Sequence, residues 1–379
     1  MSDKIDPKKG PTSPYHTSNK TQLVREQFFA RLPQRTPEHG RFWVAKKALV
    51  RSKSAQDHGI QTMHDLAILF EHPKWQLPLF EVLERRGVDY VAIDLKQGVM
   101  GGTDALPARV IFNQASPSAY LRGNTRAVPF GLTLLEGYEA EGAEVINGAA
   151  AFRFELNKAV QARLLSRLGI DYPATLAFND VDALRQRANE LSFPAMLKPN
   201  QGGSGARMRI VNNVDEIADA LADARLWEPD HVMLLQEYLP HDTEQDGIVR
   251  MEFVGGELLY AMRVHSDGGF NLCPSETCNP EDGGDGVCAL PGAEPVKTSA
   301  PRFEPFAEVP AEAVAVGKRI CTAGKLDVAG IEYLETPDGR RVFYDVNANS
   351  NLRRPIGLAH GFDPFERIAD YLQARIAAC

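Results

Sequence analysis

The sequence predicts an α/β protein of more than one domain, and three observations carry that expectation. Between Gly59 and Ala150 short apolar runs alternate with amphipathic ones, the rhythm of a small, doubly wound parallel sheet with helices on its faces. From Ala150 onward the rhythm changes, and glycine-containing turns join apolar runs directly. The length of 379 residues suggests two or three domains, with enough apolar content for separate cores.

Residues 1–58 stand apart as a basic, partly disordered extension. They hold 7 Lys and 5 Arg against 3 Asp and 2 Glu, a balance of +7 in a chain of net charge −8, which leaves −15 for the remainder. The first twenty residues are rich in Pro, Lys and Ser and carry almost no apolar side chains, so they are expected to be disordered. "LVREQFFARL" (23–32) has the pattern of a short amphipathic helix. A solvated extension and a partner-binding or substrate-gating arm both fit this segment.

Residues 59–150 form the predicted N-terminal α/β domain. "DLAILFE" (65–71) is a buried strand, "WQLPLFEVLERRG" (75–87) a helix stopped by Gly87, and "DYVAIDL" (89–95) and "ARVIFN" (108–113) two further strands. "FGLTLLEGYEAEG" follows as a helix and "AEVING" as a strand. Strand-end loops carry ligand contacts in such sheets, so Ser116, Ser118 and Arg122 in "NQASPSAYLRGN" (113–124) are candidates to face a cleft, with a plain turn as the alternative.

Beyond Ala150 the pattern gives a helix over 156–169 with Val160, Leu164 and Leu168 on one face, a strand over 172–178, and a helix over 180–191 capped by Asp180. Phe193–Leu197 and Met208–Val211 read as two strands around a glycine-rich loop, followed by a helix from Val214 to Ala224 and the strand "VMLLQEYL" (232–239). Residues 248–254 and 257–264 form a hairpin turning at Gly255 and Gly256. An irregular stretch (266–304), a helix (309–325), strands over 329–335 and 341–351, and a last helix (364–377) complete the chain.

Composition excludes several classes. The acidic balance argues against general nucleic-acid binding. No apolar run reaches about 18 residues and the polar start lacks a signal-peptide core, so a cytoplasmic protein without a membrane partner is expected. Five cysteines, an odd number, argue against a disulfide framework. Cys273, Cys278 and Cys288 lack the paired spacing of a zinc knuckle, and nothing in the sequence marks Cys273 as reactive.

The chemistry gathers in two places. In "FPAMLKPNQGGSGARMRIV" (193–211), Lys198 ends an apolar strand and opens a loop holding Gly202, Gly203, Ser204 and Gly205. Glycines let backbone N–H groups approach phosphate oxygens, and lysine adds a point charge; an ordinary hairpin with a snorkelling lysine is the plain alternative. In the strand 341–351 Asp345 and Asn347 share one face, with Glu332 on the preceding antiparallel strand. Two carboxylates and an amide oxygen suit Mg²⁺ shared with phosphates, or else a salt-bridge network. The sequence has neither a G-x-x-x-x-G-K-[ST] loop nor the kinase H-R-D and D-F-G set.

Lys158 on a helix, Lys198 with its glycine loop, the strand ending "LQEYL" and the final carboxylate-x-Asn strand, in this order, resemble the ATP-grasp superfamily. The likeness runs from Asn157 to the C-terminus. It implies an ATP-grasp fold of two α+β subdomains, a central one (151–239) and a C-terminal one with the metal site (240–379), after a domain that looks like the family's N-terminal one. With segments such as "SPSAYLRGN", "FNLCP" and "DVNANSN", the whole chain also resembles a poorly characterised bacterial branch of that superfamily.

By the same resemblance, Lys158 and Lys198 hold the α- and β-phosphates and residues 202–205 fold over the triphosphate. Glu237, Tyr238 and Leu239 read adenine, Asp246 meets the ribose, and Glu332, Asp345 and Asn347 bind Mg²⁺, with Mn²⁺ as an alternative. Arg250 and Arg263 act at the γ-phosphate or the substrate carboxylate. Asn271, Arg353 and the 116–122 loop complete the substrate side, with 266–290 as a lid. Two departures stand out: Asp345 where most ligases of the group have glutamate, and Arg207 where glycine often follows the loop. The activity implied is a carboxylate–amine ligase working through an acyl phosphate, on small-molecule substrates, in a chain compatible with a homodimer. The rivals are an ATP-grasp phosphotransferase acting on a hydroxyl and a non-catalytic nucleotide-binding module.

Overall fold

The computed structural model describes residues 63–379 apart from 204, 268, 269, 271, 273–300 and 350. The described strands form three sheets. No described helix is long and apolar enough to cross a membrane.

The first sheet arises from β1 (His64–Phe70), α1 (Pro73–Arg86), β2 (Tyr90–Asp94), β3 (Ala108–Gln114), a 3₁₀ helix (Pro117–Arg122), α2 (Ala127–Ala140) and β4 (Glu144–Ile146). All its pairings are parallel and the order is β2-β1-β3-β4. Both faces are covered, which is why its strands read as continuous apolar runs. Leu66, Ile68, Val110 and Phe112 pack on Leu79 and Leu83 of α1, whereas Ala67, Leu69 and Ile111 pack on Leu134 and Leu135 of α2. Gly87 closes α1 at φ 67°, returning its N–H to the Glu84 and Leu83 carbonyls, the left-handed stop that glycine adopts without a Cβ clash. The connection after β1 runs outward to β2 and the connection after β3 outward to β4, at opposite ends of the sheet order. The loops after β1 and β3 therefore diverge and open a crevice.

The second sheet follows α3 (Ala149–Glu155) and α4 (Lys158–Arg167), with β5 (Thr175–Phe178), α5 (Val181–Arg185), β6 (Ala195–Pro199), β7 (Arg209–Val211), α6 (Val214–Leu221) and β8 (Met233–Glu237). It is antiparallel in the order β5-β8-β6-β7. The helix expected over 180–191 stops at Arg185 and resumes only as a 3₁₀ turn over Ala188–Glu190, because of its side chains only Leu184 and Ala188 are buried.

The third sheet contains β9 (Ile248–Val254), β10 (Glu257–His265), β11 (Arg302–Pro305), β12 (Val328–Glu335) and β13 (Arg341–Asn347), in the order β11-β10-β9-β12-β13. Helix α7 (Ala311–Gly324) precedes β12, and α8 (Arg354–Ala359) and α9 (Pro364–Ala378) end the chain. Helix α9 returns to the first sheet, burying Ile368 and Leu372 in the same core as Leu66 and Leu79. Three elements have no counterpart in the sequence reading: α3, β11 and α8. The last predicted strand is also shorter, ending at Asn347 rather than 351.

One side chain ties the first sheet to the third. Asn147, just past β4 and 1% exposed, donates from Nδ2 to the Val328 carbonyl at 2.6 Å and to the Ala348 carbonyl. Its Oδ1 accepts from the Asp327 and Val328 amides at 2.7 and 3.3 Å. Truncation strands these groups where water does not reach, at roughly 1–3 kcal/mol for an orphaned buried group. Asn147→Ala is expected to lower unfolding stability by about 2 kcal/mol or more in urea titration; a loss under about 0.5 kcal/mol, the range of an ordinary surface change, contradicts this role.

Candidate active site

A cavity of about 400 Å³ is lined by residues from all three sheets. The first contributes Trp75 and Ser116–Ser118, the second Lys158, Lys198 and the 236–239 strand end, and the third Arg250, Glu332, Asp345 and Asn347.

Lys198 arrives on β6, whose five residues are all buried. Asn200, two residues on and 2% exposed, fixes where Lys158 stands relative to it. The Asn200 carbonyl accepts from the Lys158 amide at 3.3 Å, and its Oδ1 accepts from the Ala159 amide at 2.9 Å. The first turn of α4 is thus capped by the end of the lysine strand, while Asn157 caps Val160. One turn further, Gln161 clamps α4 to β13 through the Val346 carbonyl at 2.8 Å. Lys158 is thereby set against Asp345, with which it pairs directly.

The carboxylates come from strand register. Glu332 of β12 lies opposite both Asp345 of β13 and Arg250 of β9. A bulge at Tyr344 turns both Tyr344 and Asp345 toward the cavity. Arg250, 3% exposed, bonds Glu252 at 2.6 Å through Nε and Glu332 at 2.7 Å through Nη1. Its guanidinium lies over Gly330, where an added Cβ would sit 2.1 Å from Nη2; only glycine leaves that space.

Burial and charge act together on the titrating groups. Burial, reinforced by the charge of Lys158, lowers Lys198 to about 7 against the pull of Asp345 and Glu332. Among the described residues Lys198 forms no ion pair. Burial alone would raise Asp345, but Lys158 and Lys198 hold it below the usual carboxylate range. Burial pushes Glu332 up, opposed by Arg250. Burial also lifts Glu155 to about 8.

The expected residues separate on this map. Lys158, Lys198, Gly203, Glu237, Tyr238, Leu239, Arg250, Glu332, Asp345, Asn347, Ser116 and Ser118 line the cavity; Gly202 and Gly205 stand in the loop beside Gly203 without lining it. Ser204 and Asn271 lie outside the described residues, as do Cys273, Cys278, Cys288 and most of the expected lid. Arg263 is corrected by register: it pairs with Val249, not Arg250, so alternation sends it to the opposite face. There it bonds Glu335 at 3.1 Å and stacks on Phe306. Asp246 is exposed and off the cavity wall, where His241 and Thr243 stand instead. Arg122 is engaged by Glu71, at 2.5 and 3.1 Å, and supports Ser118 Oγ at 3.1 Å rather than lining the cavity. Arg353, 4% exposed, stacks on Phe303 outside the lining.

Sequence reasoning missed Glu155, Trp75 and Asn200. Glu155 sits three residues before Lys158 in a stretch with no motif, and Trp75 reads as an ordinary helix-start aromatic. Asn200 was visible, in "KPN", as a polar residue ending a buried strand.

Three sheets around one charged cavity define an ATP-grasp fold, and the chain superposes on solved members of that class. On the ATP-grasp ligase PsnB complexed with a minimal precursor, the TM-score is 0.57 at 19% identity, covering 83% of this chain and 99% of that one. On VanG D-Ala:D-Ser ligase from Enterococcus faecalis it is 0.58 at 16%, covering 83% and 100%. Residues 157–243 match the family model described as carbamoyl-phosphate synthase L chain, ATP binding domain. Among curated relatives, carbamoyl phosphate synthase large chain from Pyrococcus furiosus is 27% identical over 125 residues, 32% of this chain and 12% of that protein. Beta-citrylglutamate synthase B from Danio rerio is 25% identical over 245 residues, 64% of this chain and 53% of that protein. The chain thus spans about half or less of the length of these two relatives.

The two carboxylates and the Asn347 amide are hard oxygen ligands of the type Mg²⁺ takes alongside phosphates. They fit that ion, although Glu332 and Asp345 also face Arg250 and Lys158. Lys198 gives the site a pH signature. A phosphate beside it favours its charged form, so above about pH 7 nucleotide binding must take up a proton. Titration calorimetry with Mg²⁺ and a non-hydrolysable ATP analogue at pH 8 should give enthalpies that differ between buffers of different ionisation enthalpy. Lys198→Arg, permanently charged, should lose that difference, and Lys198→Ala should bind about tenfold more weakly or worse. Equal buffer dependence in wild type and Lys198→Arg would remove Lys198 from phosphate contact.

Proposed function

We propose that this chain is an ATP- and Mg²⁺-dependent ligase joining a small-molecule carboxylate to an amine through an acyl phosphate, with release of ADP and phosphate. The observation that carries the reading is Lys198, which forms no ion pair among the described residues, beside the Lys158–Asp345 pair, in a cavity that also reaches the Ser116–Ser118 turn. Anionic ligand chemistry supplies what that lysine lacks. The apolar walls from Met196, Ile210 and Leu334 suit a flat base next to the 237–239 strand end.

In this reading a carboxylate oxygen attacks the γ-phosphorus and the bond to ADP breaks. The amine nitrogen then attacks the acyl carbon, the C–O bond to phosphate breaks, phosphate leaves with the electron pair, and the nitrogen gives up one proton to solvent. Both steps redistribute negative charge, so fixed cations do most of the work. Lys158 and Lys198 hold phosphate oxygens, and Arg250 keeps a permanent charge behind Glu332. Glu332, Asp345 and Asn347 would hold the Mg²⁺, which supplies charge neutralisation on the phosphates when bound. Arg250 meets two carboxylates of its own and is a fixed background charge rather than a free fork for substrate. Asp345, shorter than the glutamate of most such ligases, favours one rival, a phosphotransferase to a hydroxyl.

A screen of amino acids, peptides and small carboxylates for ADP release, with mass spectrometry of the products, tests the proposal. ADP and phosphate should appear together only when a carboxylate and an amine are both present. ADP without phosphate, in the presence of a hydroxyl compound, would make the protein a kinase instead. Asp345→Asn, nearly isosteric, should lower turnover by about 10² or more in protein that still folds, as judged by circular dichroism; near-normal turnover would move the metal strand elsewhere.

A further inference from the structure

Two residues that line the cavity each carry a buried side-chain oxygen without a partner among the described residues. Glu155 is 4% exposed and Asn349 6%, and both line the cavity. Glu155 Oε2 and Asn349 Oδ1 have no hydrogen-bond partner among the described residues. The orientation of each side chain is fixed by its other end. Glu155 Oε1 accepts from the Asn349 amide at 3.2 Å, which draws the two residues together. Asn349 Nδ2 donates to the Gln114 and Ala115 carbonyls at 3.1 and 3.0 Å, and carbonyls accept only donors, so the amide cannot turn over and Oδ1 is left facing away from them. The backbone under Glu155 is held as well, through Gln161 Nε2 bonding the Phe154 and Glu155 carbonyls at 3.2 and 3.3 Å.

An unpartnered buried polar atom costs free energy, and two on residues of one cavity call for a polar ligand: Asn349 Oδ1 needs a donor, while Glu155 Oε2, on a carboxyl that burial lifts to about 8, can accept a hydrogen bond or take up a proton. Their place narrows the class. Asn349 lies two residues past Asn347, beyond the end of β13, and is bonded to the chain just before Ser116, where β13 meets the first-domain loop. Ser116 and Ser118, whose hydroxyls pair at 2.8 Å, line the same wall. The charge of Lys158 acts on Glu155 from nearby, which opposes a further divalent cation there more strongly than a small N–H donor.

We propose that Glu155 Oε2 and Asn349 Oδ1 bind the nitrogen of the amine substrate, a primary amine, presenting it to the acyl phosphate from the Ser116–Ser118 side. This rests on the ligase reading above and names the half of the site that reading leaves open. Glu155 keeps its bond to the Asn349 amide whatever the ligand, so the substitution Glu155→Gln preserves shape and the Oε1 acceptor while replacing the free oxygen with a donor.

The test uses the full chain with the carboxylate and amine that give the most ADP in the screen. Glu155→Gln, which can neither accept through that oxygen nor take up a proton there, should raise KM for the amine by about tenfold or more and leave KM for ATP and for the carboxylate within about twofold. In the same variant, hydroxylamine added in place of the amine should still trap acyl phosphate as hydroxamate. Glu155→Asp, which keeps the carboxylate but withdraws it by one methylene, should fall between wild type and Glu155→Gln. Parallel rises in all three KM values, or no rise for the amine in either variant, would overturn the assignment while leaving the ligase reading intact. If wild-type protein releases no ADP with any carboxylate and amine together, the ligase reading and this inference fall together.

Discussion

Two lysines held side by side inside a cavity repel one another, and the surrounding structure is arranged to keep them there. Lys198 loses water by burial and feels the charge of Lys158, so its proton is held only weakly at neutral pH. Asp345 answers Lys158 directly, and Arg250 is answered by Glu252 and Glu332. Breaking one member of such a buried set costs more than the set contributes to stability, which is the usual mark of charges kept for chemistry rather than for folding. The geometry is imposed by caps and clamps: Asn200 and Asn157 fix the start of α4, Gln161 pins it to β13, and Gly330 leaves room for Arg250.

The glycine loop belongs to this arrangement through contacts on both sides. Gln201 Nε2 donates to the Pro117 carbonyl at 3.2 Å, and a Cβ on Gly203 would stand 3.0 Å from that of Ser118. A Cβ on Gly205 would overlap the Phe270 carbonyl at 2.0 Å. Arg207, at φ 62°, accepts a backbone conformation that favours glycine and stacks its guanidinium 5.0 Å from the Tyr120 ring centre. Loop, first-domain turn and third-sheet strand thus close on one cavity, with the loop against Ser118.

Much of this was legible in the sequence because the signals were local. Alternation of apolar and amphipathic runs located β1, α1, β2, β3, α2 and β4, and Gly87 marked where α1 stops. The lysine and glycine loop, and the pairing of Glu332 with Asp345, were readable because each lies within a strand or across one tight turn. What the sequence did not disclose depends on parity or on distant partners. Arg263 was placed beside Arg250 because adjacent strands were matched without their register, and a shift of one residue moves a side chain to the other face. Arg122 looked available because Glu71, its partner, lies far away in sequence. Glu155 and Asn147 acquire meaning only from contacts with Asn349, past the end of β13, and with Val328 of β12, which no periodicity encodes.

The central claim is that the phosphate side and the carboxylate side of this cavity exchange an oxygen. Its most direct test is single-turnover reaction with a carboxylate substrate labelled with ¹⁸O in both oxygens, followed by mass analysis of the released phosphate. Passage through an acyl phosphate carries one labelled oxygen into each phosphate formed, and that result is expected. Unlabelled phosphate, with product still made, would contradict the account, because the carboxylate would then never have been joined to phosphorus.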